Sequence, residues 1–135
     1  MRELPPPFFE RPFWLQLLGG IVVPAVFGIL TGFTLSVNEI LYYALSAPIA
    51  ILGGFLGGVE HRDTGEGFQR GAVGGLIFGS FILLGNEILN PEETKAHLPD
   101  PQAALVFVTT LGGAILGALG ARWRSRQERR AALSG

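Results

Sequence analysis

Glu60, His61, Asp63 and Glu66 fall within one run of seven residues and bring together three carboxylates and an imidazole. Side chains of these types, if they converged, could hold a divalent metal or relay a proton. Arg62 and Arg70 stand beside them, and guanidinium groups paired with those carboxylates would make a solvated polar turn instead. The turn is the expectation, with no metal and no cofactor. His97, the other histidine, lies far along the chain, and with no cysteine there is neither a thiolate ligand nor a cysteine nucleophile. The surrounding glycines do not form a phosphate-binding loop, because no strand precedes them and no Lys-Ser or Lys-Thr follows. No catalytic residues are expected, and the role is read as non-enzymatic.

Two further pairs could do chemistry. Asn38-Glu39-Ile40-Leu41 recurs as Asn86-Glu87-Ile88-Leu89. Asn38, Glu39, Asn86 and Glu87 could ring the mouth of a pore, or else cap and mark helix ends. Pro24 and Pro48 would each leave the carbonyl four residues earlier, at Gly20 and Ala44, without its donor. Such a carbonyl could meet an ion or mark a hinge, although neighbouring helices commonly repair such kinks.

What must position these residues is a set of four apolar stretches, 13–35, 40–59, 68–89 and 103–121, none with a charge in its central part. Each is long enough to cross a hydrocarbon core of roughly 30 Å. The chain is therefore expected to be an all-α, polytopic membrane protein with four transmembrane helices arranged as two hairpins. A segment 1–12 would precede the 13–121 membrane domain, and a basic tail, 122–135, would continue the last helix. The first stretch reads as a retained span, since no small-residue cleavage site follows it promptly. Nine of the ten basic residues fall at one end of these spans and Lys95 at the other. That asymmetry predicts a cell-membrane protein with both termini and the 60–67 loop in the cytoplasm. Trp14, Tyr42, Tyr43 and Trp123 would anchor the two interfaces.

Between Gly53 and Ser80 lie ten of the chain's twenty glycines. In lipid, helices gain little by hiding apolar side chains from one another, and small residues spaced four apart let backbones approach closely. Each span carries such a series. Gly28 and Gly32 serve the first span, Gly54 and Gly58 the second, Gly71, Gly75 and Gly79 the third, and Gly113 and Gly117 the fourth. Gly19, Gly53, Gly57, Gly74 and Gly112 lie off these series, a surplus that suggests a homo-oligomer or a membrane-protein partner. The net charge of −1 gives no reason to expect nucleic acid, so the expected partners are membrane lipids and another membrane helix. The expected role is a self-associating or partner-binding membrane subunit, with the glycine-rich helix seams as its working surface. The alternative is a small oligomeric channel or transporter lined by Thr31, Thr34, Ser46, Ser80, Thr109 and Thr110.

The 53–80 passage, with its short polar turn Asp63-Thr64-Gly65-Glu66-Gly67 between glycine-rich helices, resembles small, glycine-rich, four-span prokaryotic membrane proteins that have no assigned activity. Arg62, Glu66, Phe68 and Gln69 are more faintly similar to a pattern before the third span of the mitochondrial Tim translocase family, which also has four glycine-zippered spans. Both resemblances imply tight helix packing, and neither implies a catalytic residue.

Overall fold

A backbone surrounded by lipid must satisfy its own hydrogen bonds, and helices do so within each segment. A computed structural model describes residues 7–35, 37–89 and 103–134, which are helices and short turns with no strand among them. Arg2, Pro5, Pro6 and the 90–102 segment with Lys95 and His97 lie outside the described residues. A single 3₁₀ turn, Phe8–Glu10, leads into α1 (Phe13–Thr34), α2 (Glu39–Val59), α3 (Thr64–Leu89) and α4 (Ala103–Ser134). All four helices are long and apolar enough to cross a membrane.

Local chemistry sets their ends. The Asn38 side-chain oxygen accepts from the Ile40 and Leu41 amides at 2.8 and 3.2 Å, capping α2. Asp63 does the same for α3, accepting from the Gly65 and Glu66 amides at 2.6 and 3.1 Å. Helix α3 therefore starts at Thr64, a turn earlier than the apolar run beginning at residue 68 implied. Helix α4 is 32 residues long, about 48 Å at 1.5 Å per residue, so its basic last third projects past a hydrocarbon core of about 30 Å.

Helix α3 is central. It packs most extensively on α4, and it also touches α1 and α2, whereas α1 and α2 scarcely meet. The tightest approaches are made where side chains are smallest. A methyl group placed on Gly58 would run into the backbone of Gly117, one on Gly71 into Gly113, one on Gly75 into Thr109, and one on Gly79 into Thr109 and Val106. Gly113 and Gly117 face Gly71 and Gly67 in return. On the other side of α3, Gly28 meets Phe78 and Phe81, and Gly32 meets Ile82. Gly54 rests on Leu116. Two contacts lie outside the four-residue series: Gly85 against Ile29, and Gly120 against Phe55 and Val59.

The apolar core is small, centred on Leu35, Tyr42, Phe78 and Ile82. Far more large apolar side chains lie exposed than buried, among them Leu30, Leu52, Phe107 and Val108. That is the reverse of a protein folded in water, and it suits helices whose outer faces meet hydrocarbon.

Candidate functional site

The loosest interface in the bundle lies between α1 and α2, and it leaves a cleft of about 510 Å³. Val23 and Phe27 of α1 and Leu52, Gly53 and Leu56 of α2 form its walls, and Gly71, Gly74, Gly75 and Phe78 of α3 its floor. Its lining is largely apolar, with Thr109 of α4 among it and the charged Glu60 and Arg70 at one end. Volumes of this order are those of small-molecule pockets.

Arg70 sits about 9 Å along α3 from Thr64, in the part of the helix that enters the bundle. Its side chain is only 13% exposed. Two irregularities make a place for it. First, Pro24 has no N–H to offer the Gly20 carbonyl, and α1 widens into a π turn over Leu18–Val22. There the Val23 amide donates to Leu18 rather than to Gly19. The Gly19 carbonyl so released accepts from Arg70 Nη2 at 2.8 Å. The carbonyl freed in this region is thus met by a side chain of the chain itself.

Second, Gly57 and Gly74 clear the space that the guanidinium occupies. A methyl on Gly57 would touch Arg70 Cζ at 3.7 Å, and one on Gly74 would crowd Nη1 at 3.3 Å. Three of the surplus glycines therefore surround one arginine. Gly53 and Gly112 meet nothing within 4 Å, and of these two Gly53 borders the cleft.

The remaining contacts of Arg70 are electrostatic. Glu60 Oε2 lies 3.9 Å from Nε, and the Phe8 ring centroid lies 5.4 Å from Cζ. Glu60 gives its closer pairing to Arg11, Nη1 to Oε1 at 3.0 Å, while its backbone carbonyl accepts from the Phe8 amide at 2.8 Å. The 3₁₀ turn is in this way fastened over the end of the cleft.

The acidic cluster does not converge. Glu60 faces Arg11 and Arg70, Asp63 caps α3, and Glu66 Oε2 lies 3.5 Å from His61 Nδ1. Among the described residues, no three His, Asp or Glu side chains gather as metal ligands. The expectation of a solvated turn needs correction at His61, whose side chain is 3% exposed. Phe8 and Phe9 flank its ring at 5.4 and 5.3 Å between centroids. Burial pushes its proton affinity below the ordinary imidazole value, against the opposing pull of Glu66. Arg62 turns away to Glu128 on α4 at 3.1 Å, and Arg124, buried, donates to the Val59 carbonyl at 2.9 Å. The N-terminal turn, the 60–63 turn and the α4 extension thus meet at one end of the bundle.

Of the four residues considered for a pore mouth, Asn38, Glu39 and Glu87 are exposed. Asn86 is buried, with its backbone against Gly32. The two copies of the Asn-Glu-Ile-Leu run consequently do different work. Thr31 and Thr34 donate to carbonyls of α1, at Phe27 and Thr31, and Thr109 and Thr110 both donate to Val106 on α4.

Sequence reasoning misses Arg70, which the sequence alone places beside the polar turn. Its signal was a charge inside the third apolar run, with glycine at 71 and 74 on the same helix. Its partners come from α1, α2 and the N-terminal turn, which no spacing in the chain links. No family model, no curated protein and no solved structure matches this chain.

Proposed function

We propose that this chain is a non-enzymatic, multi-pass protein of the cell membrane that acts by binding a partner within the bilayer. In this reading both termini and the 60–63 turn face the cytoplasm, where the arginine-rich end of the bundle belongs by the positive-inside rule. The two halves of the chain are successive hairpins. The contacts at Gly28, Gly32, Gly54, Gly58, Gly71, Gly75, Gly79, Gly113 and Gly117 serve as glycine seams within one chain. They are occupied by the fold, so the working surface lies elsewhere.

The observation that carries the reading is the cleft between α1 and α2, an apolar space floored by glycine and open beside Gly53. The channel alternative would draw on threonine hydroxyls that already donate within their own helices, at Thr31, Thr34, Thr109 and Thr110.

The chain has no cysteine, so Gly53→Cys gives a single attachment point for a photo-reactive benzophenone. Irradiation in the native membrane should yield one adduct of defined mass, which names the partner: twice the chain mass for self-association, a larger protein, or a lipid. A uniform smear of membrane components, equal to that from the same probe at exposed Leu119, would refute a dedicated binding surface.

A further inference from the structure

We infer that the cleft between α1 and α2 holds a phospholipid from the surrounding bilayer, with its phosphate on Arg70 and an acyl chain along the glycine floor. This rests on the cleft being the working surface and goes further by naming its occupant.

Three observations point to that chemistry. The walls are apolar and their rim residues Val23, Phe27, Leu52 and Leu56 are exposed, so the space opens to whatever surrounds the helices. Around helices of this length and composition that medium is hydrocarbon.

The polar end sits at headgroup depth. Arg70 lies about 9 Å from the start of α3, and the headgroup layer is roughly 5–8 Å thick on each side of the hydrocarbon. A chain in the cleft would therefore bring its phosphate to the guanidinium.

The charge there favours an anion. Arg70 is the cation at this end of the cleft, and it stands farther from the Glu60 carboxylate, 3.9 Å, than Arg11 does, 3.0 Å. Of the five N–H groups of Arg70, one donates to Gly19, and Nε, though close to Glu60, completes no hydrogen bond. A phosphate oxygen is the acceptor this geometry suits, and small movements of a long side chain suffice to meet it. A lipid with net negative charge is preferred over a zwitterionic one for the same reason. An apolar protein helix would fill the walls but would bring the remaining N–H groups of the arginine no acceptor.

The test is native mass spectrometry of the whole chain released from nanodiscs of phosphatidylcholine containing increasing phosphatidylglycerol. The wild type should retain one lipid, with phosphatidylglycerol favoured about fivefold, the preference expected for one basic residue facing an anionic headgroup. Gly53→Leu should remove the retained lipid of either kind, and the empty space around Gly53 lets the folded bundle accept that side chain. Arg70→Gln should keep a lipid but erase the preference, while Arg126→Ala should change nothing. If Arg70→Gln does not fold, Gly53→Leu still decides the matter. Retention unchanged in Gly53→Leu would overturn the inference, as would a wild type that carries only a ladder of weakly held lipids. A protein adduct from the probe at position 53 would refute this occupant while leaving the partner-binding reading intact. No defined adduct would remove both.

Discussion

Gly71→Ala adds one methyl group at the tightest part of the α3–α4 interface. At its built position that methyl runs into the Gly113 carbonyl, with the carbonyl carbon 2.6 Å away and Gly117 Cα 3.1 Å away. Carbon atoms in good contact stand about 3.5–4.0 Å apart. The two backbones must therefore part by about 1 Å, and neither can yield locally, because both are regular helix. A gap of about that size forfeits a quarter to a half of the dispersion energy of the atom pairs it separates. The neighbouring contacts at Gly67, Gly75 and Gly117 lie on the same line and lose with it. Overpacking of this kind costs roughly 1–3 kcal/mol. Gly53→Ala and Gly112→Ala are the matched controls, since nothing lies within 4 Å of either added methyl, and they should stay within about 0.5 kcal/mol of wild type. Reversible unfolding in mixed micelles, followed by helix circular dichroism, measures all three. If Gly71→Ala proves as stable as Gly53→Ala, the reasoning about close backbone contact is wrong.

Other expectations follow from single contacts. Asn38→Ala should cost about 1 kcal/mol by removing the α2 cap, and Asn38→Asp should restore most of it in the same unfolding assay. Acid should release the N-terminal turn: the freed imidazole of His61 takes a proton more readily than the buried one, so docking is complete above about pH 6.5 and is lost as the pH falls below it. Glu66, Glu60 and Arg70 are the charges that act on that ring. Hydrogen exchange at the Phe8 amide, referred to its intrinsic rate, should show protection falling with pH in wild type and no such fall in His61→Phe. Gly74→Leu should displace the Arg70 guanidinium and weaken the preference for anionic lipid, with a smaller loss of stability than Gly71→Ala.

The spans were legible because length and apolarity alone set them: four runs of membrane-crossing length, none with a charge in its central part, became α1 to α4. Nine glycines spaced along them read as small surfaces, and a methyl group added to any of them would meet atoms of another helix. Which helix would face which was not legible. Gly28 and Gly32 meet α3 rather than the adjacent α2, and nothing in a spacing of four names the partner. Arg70 escaped notice for the same reason, since its bond to Gly19 spans 51 residues and depends on a π turn that follows from a proline on another helix. The surplus glycines suggest an oligomer or a membrane partner, and no spacing tells that Gly57 and Gly74 make room for Arg70. A glycine that admits a guanidinium and one that admits a neighbouring backbone are the same letter. His61 was misplaced because charged neighbours suggested solvent, whereas two phenylalanines from the N-terminal turn bury it.

The site at Arg70 can be approached most directly by solid-state magnetic resonance of arginine-labelled protein in phosphatidylglycerol-containing bilayers, recording the dephasing of guanidinium nitrogen by lipid phosphorus. Strong dephasing of the Arg70 signal, abolished by Gly53→Leu, is the result this account requires. An Arg70 signal untouched by phosphorus while Arg126 and Arg129 of the exposed tail respond would contradict it.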